Sequence, residues 1–422
     1  MRILYINHYA GSPWHGMEFR PYYLARKWLE AGHDVRILAA SFSHVRNVNV
    51  EAGRSIVEEE IDGVRYYWCR TPKYDGNGIG RFINILVFLF GVFRFYFHTR
   101  KDWRPDVVIA SSTYPLDMLP AAYIAKRSRA ELVYEVHDLW PLTQIELWGM
   151  SRWHPFIMLL QWAEDFAYSR ADAVVSMLPC AKDYMVTRGM EPSKFVTIPN
   201  GIVLDDWNSG RTPIPAEHSR KLADLRANGY FIVGYAGSHG HANALDVVLS
   251  AAFILRKERV AFVFVGDGTE KSALVERAIN EELENVHFLP SMQKTAIPNF
   301  LEDCNCLIIA WKNISMYRFG ISPNKLFDYM MAGKAIVEST GAGNAPVRQA
   351  DCGLTVEPEN PAAIAEAVRT LKAMSAGERE RLGANGRAYV LEHHEYGVLA
   401  KQFLDILRTP PANARVETEA VQ

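Results

Sequence analysis

The residues best suited to chemistry lie in one stretch, F-G-I-S-P-N-K-L-F-D-Y-M-M-A-G-K at 319–334. Ser322 followed by Pro323 is an N-cap with a first-turn proline, so a helix is expected to start here. Lys325 and Asp328 stand three residues apart and share one face of that helix, which Gly333 closes. A helix N-terminus presents unpaired N–H groups and partial positive charge, which suits a diphosphate, and Lys325 adds a full charge in the same turn. Asp328 adds a carboxylate that can accept from a vicinal diol such as a ribose. An anion binder and a diol binder one turn apart fit a nucleotide diphosphate. A solvated Lys–Asp pair on a surface helix would show the same spacing.

Other candidates sit where strands end. In G-S-P-W-H-G-M-E-F (11–19), Gly16 either permits close backbone approach to a ligand at the start of the first helix or is a turn glycine. His137 ends the strand L-V-Y-E-V at the edge where open α/β sheets bind ligands; a buried structural histidine is the other reading. Alternation puts Glu135 on the His137 face, while Asp138 caps the next turn, and either one could place an acceptor hydroxyl. Gly266, Asp267 and Gly268 follow V-A-F-V-F-V, as much a turn signal as a ligand loop. Gly341 and Gly343 in G-A-G-N follow A-I-V-E-S-T and could offer backbone N–H groups to an anion. Trp311 is read as packing rather than as a base-stacking platform.

These candidates need strands to carry them. Apolar runs at 2–8, 35–41, 106–111, 131–137, 173–177 and 195–198 alternate with helical spacing at 18–31, 115–128, 154–170 and 180–189, which predicts a parallel sheet covered on both faces. Residues 58–70 predict an inserted hairpin turning at Asp62-Gly63. A break at 200–215 precedes a second series, with strands at 230–236, 260–265, 286–289, 306–310 and 334–338. Its helices fall at 243–257, 270–282, 294–303, 323–332 and 360–372. The expected fold class is α/β, with two Rossmann-like doubly wound parallel-sheet domains: 1–205 and 206–392. A helix at about 393–408 is expected to pack back on the first domain, and 409–422 to form a disordered tail. Two such domains in tandem invite a ligand cleft at the carboxyl ends of their strands.

At 422 residues the chain exceeds one ordinary core, and 49% hydrophobic with 22% charged residues excludes a largely disordered chain. A net charge of −2 argues against a nucleic-acid binder. The five cysteines form no C-x-x-C pair, so neither a disulfide framework nor a structural zinc is implied. The N-terminus reads as a strand rather than a signal peptide, which suggests a cytoplasmic protein. Residues 82–97 are the exception: a 16-residue apolar run holding Arg94, edged by Arg81, Arg100, Lys101 and Arg104. Too short for a ready membrane span, it is either a core helix or a helix lying in one anionic leaflet.

The 319–334 stretch resembles the donor-binding segment of family 4 retaining glycosyltransferases of GT-B fold. The similarity is closer to the bacterial O-antigen and capsule branch that includes N-acetyl-L-fucosaminyl transferases. It extends through N-H-Y at 7–9, G-H-D-V at 32–35, E-V-H-D-L-W-P at 135–141, I-P-N-G-I at 198–202 and G-D-G at 266–268. The resemblance implies an acceptor-binding first domain and a second domain binding a nucleotide-sugar donor, here a UDP-N-acetyl sugar. It also implies a saccharide or polyprenyl-diphosphate-linked acceptor, no cofactor and no metal. The reaction would keep the anomeric configuration through a front-face mechanism, with His137 near the transferred sugar. Ser322, Asn324, Lys325 and Asp328 would hold the donor. The first of the family's two glutamates falls on Gly320, and its usual Arg and Lys fall on Ser238 and Asn243. Lys325, the helix N-terminus, Gly237 and Gly240 would then carry more of the diphosphate.

The work would take place in the cytoplasm, with contact to the anionic inner leaflet through 81–104. A Rossmann dehydrogenase is excluded, since residues 7–16 lack G-x-G-x-x-G and the second strand ends without a ribose-binding acid. A GT-B-shaped nucleotide-sugar 2-epimerase and a non-catalytic sugar-nucleotide-binding protein remain open.

Overall fold

The computed structural model describes residues 1–51, 53, 55–76, 78–208 and 210–408. The chain forms two compact units, 1–199 with the C-terminal segment from Tyr396, and 200–395. The expected tail at 409–422 lies outside the described residues.

The first unit is built on eight strands: β1 Arg2–Ile6, β2 Asp34–Ala40, β3 Ile56–Ile61, β4 Val64–Cys69, β5 Val107–Ala110, β6 Glu131–Val136, β7 Ala173–Ser176 and β8 Phe195–Thr197. Their order in the sheet is β3-β4-β2-β1-β5-β6-β7-β8, parallel throughout except for the antiparallel β3–β4 hairpin. That hairpin turns at Asp62 and Gly63, as the sequence predicts. Strands such as V-V-I-A (β5) and A-V-V-S (β7) are buried along their whole length, because helices cover both faces. These helices are α1 Arg20–Glu30, α2 Ile79–Thr99, α3 Met118–Ser128, α4 Leu142–Trp148, α5 Pro155–Arg170 and α6 Lys182–Thr187. The strand order reverses between β1 and β5, so the loops after these strands flank a topological switch point.

The 82–97 run resolves as part of the 21-residue helix α2, which is long and apolar enough to cross a membrane by length and composition. One face is core: Phe88 and Val92 are fully buried, Phe95 nearly so, and the Asn84 amide donates to the Pro72 carbonyl at 2.7 Å. The opposite face, with Ile79, Ile83, Leu86 and Phe90, is exposed. Neither a wholly buried helix nor a free one, α2 is apolar on its solvent side as well.

The second unit opens with α7 Leu204–Asn208 and α8 Ala216–Ala227, and its six strands are β9 Phe231–Ala236, β10 Val260–Val265, β11 Val286–Leu289, β12 Cys306–Ala310, β13 Ile336–Ser339 and β14 Gly353–Val356. All pair in parallel in the order β11-β10-β9-β12-β13-β14, with the reversal between β9 and β12. Their covering helices are α9 Leu245–Ile254, α10 Lys271–Asn280, α11 Ile297–Asp303, α12 Asn324–Met331, α13 Pro346–Gln349, α14 Pro361–Ala373 and α15 Ala376–His393. Strand β14 and helix α8 go beyond the sequence expectation. The chain then returns to the first unit as α16 Tyr396–Arg408, which packs on α1: the Trp28 indole donates to the Ala400 carbonyl at 3.1 Å and meets the Phe403 ring at 5.2 Å.

Candidate active site

In the first unit the loops after β1, β5 and β6 carry a buried polar cluster. His137 directly follows β6, and its Nε2 lies 2.8 Å from the Ser111 hydroxyl and 3.4 Å from Glu135. Glu135 is wholly buried. It accepts from Arg20 Nε at 2.9 Å, from the Tyr5 hydroxyl at 2.5 Å and from Ser111 at 2.6 Å. Burial alone would raise this carboxyl, but Arg20, His137 and Ser111 outweigh it and hold it well below the usual carboxylate range. Arg20, itself 1% exposed, spends its other N–H groups on the carbonyls of Ile198 and Pro199 at 2.9 and 2.6 Å.

Glu135 therefore has no surface with which to place an acceptor hydroxyl; it sits beneath His137 and orients it. Asp138 accepts from the Leu139 N–H, the Thr143 hydroxyl and the Trp140 indole, at 2.8, 2.8 and 3.1 Å. It braces the turn into α4, the capping role that sequence allowed it. At Gly16 the structure shows the turn, the second of its two readings. Helix α1 begins only at Arg20, and the Gly16 N–H goes to the Ser12 carbonyl at 2.8 Å, leaving that donor committed inside the loop.

The loop after β1 carries two aromatic residues from N-H-Y, tied to the loop after β5 by the His8 N–H, which donates to the Ser112 hydroxyl at 3.0 Å. The His8 imidazole is fully buried, contacts the Tyr114 hydroxyl at 2.5 Å and is stacked on Tyr9 at 4.5 Å, with Phe88 of α2 4.6 Å away. Burial, reinforced by Arg46, pushes this imidazole well below its ordinary pKa, so it is neutral at pH 7.

In the second unit, the site is built around the first turn of α12. Its N-cap is Pro323, not Ser322. Ser322 instead accepts from the backbone and amide of Asn200, at 2.7 and 2.9 Å, so the I-P-N-G motif braces the entrance to this helix. Asn324 is exposed as the first helical residue.

Lys325 reaches the loop after β9. Its ammonium donates to the Tyr235 hydroxyl at 3.1 Å and to the Asn243 carbonyl oxygen, and lies 4.8 Å from the Trp311 ring centroid. Burial lowers its pKa from 10.5 to about 7, despite the aromatic faces that favour the cation. Asn243, where the family pattern has a base, is thus the partner of the cation that remains. Trp311 packs, as expected, but against this ammonium.

One turn on, Asp328 accepts weakly from the Trp207 indole at 3.4 Å. Burial raises it to about 6, opposed by Lys294 and Trp207. Lys325 and Asp328 thus leave the same helix face toward different neighbours. Neither is a solvated surface pair.

The glycine loops divide. Gly266 and Gly268 let the loop after β10 press on the loop after β9: a Cβ at Gly266 would lie 2.0 Å from the Gly237 carbonyl oxygen, and one at Gly268 2.6 Å from the His239 backbone. The Asp267 carbonyl accepts from His239 N–H at 2.8 Å, and its carboxylate from Gly268 N–H at 2.8 Å. G-D-G therefore shapes its neighbour. Gly237 adjoins the Lys325 stem, the exposed Ser238 offers its carbonyl to Tyr235 and Asn243, and Gly240 leads into Asn243. The Gly343 N–H is committed to the Tyr317 carbonyl at 2.9 Å, so it is not a free donor for an anion; Gly341 is exposed. Gly320 has φ +96°, a backbone that a glutamate would adopt only with strain, so the missing acid has a local structural counterpart.

Sequence reasoning passed over Arg20, Ser111, Asn200, Trp207 and Tyr235. Only Asn200 had a signal, its place in I-P-N-G.

Comparison with known proteins agrees with this architecture. Residues 15–201 match the glycosyl transferase 4-like domain, and residues 230–373 match the glycosyl transferases group 1 family. WcaI of Escherichia coli (strain K12), named as a colanic acid biosynthesis glycosyl transferase, is 24% identical over 81% of this chain and 85% of its own length. WbjE of Pseudomonas aeruginosa, named as a glycosyltransferase, is 22% identical over 74% and 76%. The crystal structure of HepE from Anabaena in complex with UDP-glucose superposes with a TM-score of 0.63 at 16% identity, covering 96% of this chain and 99% of HepE. The chain is therefore a glycosyltransferase of GT-B fold, made of a glycosyl transferase 4-like domain followed by a group 1 domain.

Proposed function

We propose that this glycosyltransferase moves an N-acetylated sugar from a UDP-linked donor to a saccharide carried on polyprenyl diphosphate, with retention at the anomeric carbon. The product would be a bacterial surface polysaccharide intermediate, made in the cytoplasm at the inner membrane, where exposed α2 and the basic residues of 81–104 meet the anionic leaflet. WcaI's name supports the polysaccharide assignment, and the UDP-glucose bound by HepE supports the donor class.

The observation that carries the reading is the α12 pair. Lys325 is held in an aromatic box beside the glycine loop, and Asp328 lies one turn further along the same helix. Bond breaking at the anomeric carbon loads negative charge onto the departing diphosphate. Lys325 and the first N–H groups of α12 stabilise that charge without a metal. Asp328 holds the ribose hydroxyls. The departing phosphate takes the acceptor proton, so no protein nucleophile is needed. His137, fixed by Glu135 and Ser111, hydrogen-bonds the transferred sugar.

The test is incubation with a panel of nucleotide sugars, with and without polyprenyl-diphosphate-linked saccharide. Acceptor-dependent UDP release with an α-configured product from an α-configured donor is expected. Isomerised donor without transfer would make the protein an epimerase, and tight binding without turnover would make it a non-catalytic binder.

A further inference from the structure

Helices α2, α4 and α5, with the loops beside them, line an open pocket of about 560 Å³ within the first unit. Its walls include Phe82, Ile85, Trp140, Trp148, Phe156 and Leu159, with Phe82 and Phe156 edge to face at 5.6 Å. Among the described residues no acid lines it; Arg81 and His154 are its polar members. This size matches a pocket for one small ligand, roughly 300–1,000 Å³. Around it the surface stays apolar: Ile79 is 78% exposed, Phe90 69% and Trp153 82%. An apolar patch of this extent on a water-facing surface marks an interaction site.

The position of the pocket narrows the occupant. Trp140 in its wall is three residues from His137, on the turn that Asp138 braces. The Arg81 guanidinium lies 5.4 Å over the Trp140 ring and donates to the Tyr9 hydroxyl at 2.9 Å, and Tyr9 stacks on His8. The pocket thus leads, through a cation and two aromatic rings, to the loop after β1, where the His8 N–H donates to Ser112, the neighbour of the Ser111 that contacts His137. An anionic head with a long hydrocarbon tail matches this sequence of apolar cavity, then guanidinium, then polar edge. A bilayer lipid resting on α2 would have no use for the link to His137.

We propose that this pocket binds the first part of the polyisoprenyl chain of the acceptor, with Arg81 beside its diphosphate, so that the attached sugar reaches His137. The assignment rests on the lipid-linked reading of the acceptor and adds to it the residues that hold the chain.

The full chain is titrated by calorimetry with geranyl and geranylgeranyl diphosphate, which share a head group and differ in tail, below their micelle-forming concentrations. Burial of each methylene strengthens binding about fourfold, so the longer chain should bind at least tenfold tighter. Leu159→Trp, which narrows the pocket, should diminish that preference. Phe156→Ala, a milder change, should reduce it, and melting curves show that each variant is folded. Equal affinity for the two diphosphates, or an undiminished preference in both folded variants, overturns the proposal. Dioctanoyl phosphatidylglycerol binding as tightly as geranylgeranyl diphosphate also overturns it, by giving the pocket to bilayer lipid. UDP titration of the same samples separates the two ideas: loss of nucleotide binding would undo the proposed donor chemistry and leave the chain-length result standing.

Discussion

Raising the pH should weaken nucleotide diphosphate binding, and Lys325 should be the reason. The side chain lies beside Tyr235, Asn243 and Trp311, and burial brings its pKa down from 10.5 to about 7. In the empty site it is therefore about half charged at pH 7, and the charged fraction falls to about 3% at pH 8.5, which is simple titration arithmetic on that value. A bound diphosphate favours the ammonium and draws a proton from solution. If only the charged form binds well, affinity for UDP should fall roughly fifteenfold between pH 7 and 8.5. The phosphate itself titrates near pH 6, so it contributes little in this window.

Calorimetry in buffers of different ionisation enthalpy reads both quantities: about half a proton taken up at pH 7 and nearly one at pH 8.5. Lys325→Met should bind UDP weakly and independently of pH. A wild-type affinity that is flat from pH 7 to 8.5, or proton uptake that persists in Lys325→Met, would refute the reasoning.

Asp328 gives the opposite pH signature, in stability. Its folded pKa is raised to about 6 from 3.8, so the ionised form is disfavoured in the fold, and the strain disappears as pH falls through 6 toward 4. The wild type should gain about 2 kcal/mol relative to Asp328→Asn over that range in urea melts, while Asp328→Asn weakens UDP binding at pH 7. Equal pH dependence in the two proteins would contradict this. Arg20→Met should cost about 3–5 kcal/mol because it strands the Glu135 carboxylate in the interior. The double variant Arg20→Met/Glu135→Gln should recover part of this in thermal melts; no recovery would mean that the pair is not coupled. Reversing Arg94, Arg100 and Lys101 to glutamate should lower partitioning onto anionic vesicles by at least about a hundredfold, at about 1 kcal/mol per basic residue lost. An unchanged partition of the folded variant would remove α2 from the membrane.

Strands were legible where burial on both faces forces a continuous apolar run, as in V-A-F-V-F-V of β10. Strand β14, G-L-T-V, is only half buried and carries no such run, and α8 turns just three side chains inward, so neither announces itself. For the site, the spacing of Lys325 and Asp328 was visible because helix geometry fixes it. The partners were not, since Tyr235 and Trp207 reach these groups from 90 and 121 residues away. The same limit hid Arg20, an exposed-looking helix residue whose ion partner lies 115 residues on. Ser322 misled because a serine before proline suits a cap, whereas here a tertiary contact with Asn200 takes its hydroxyl.

Helix α16 changes what a shortened chain would be. Trp28 and Tyr23 of the first unit are covered by Phe403 and Tyr396, so the first unit is built from segments on both sides of the second. On the ribosome its core stays incomplete until α16 emerges, after the whole second unit has been made. A stop codon between Val356 and Tyr396 would release a second unit with all its strands beside a first unit that still lacks its cover. Quality control would thus meet a protein damaged at its beginning by an error at its end, and an expression fragment ending at Pro199 would inherit the same defect.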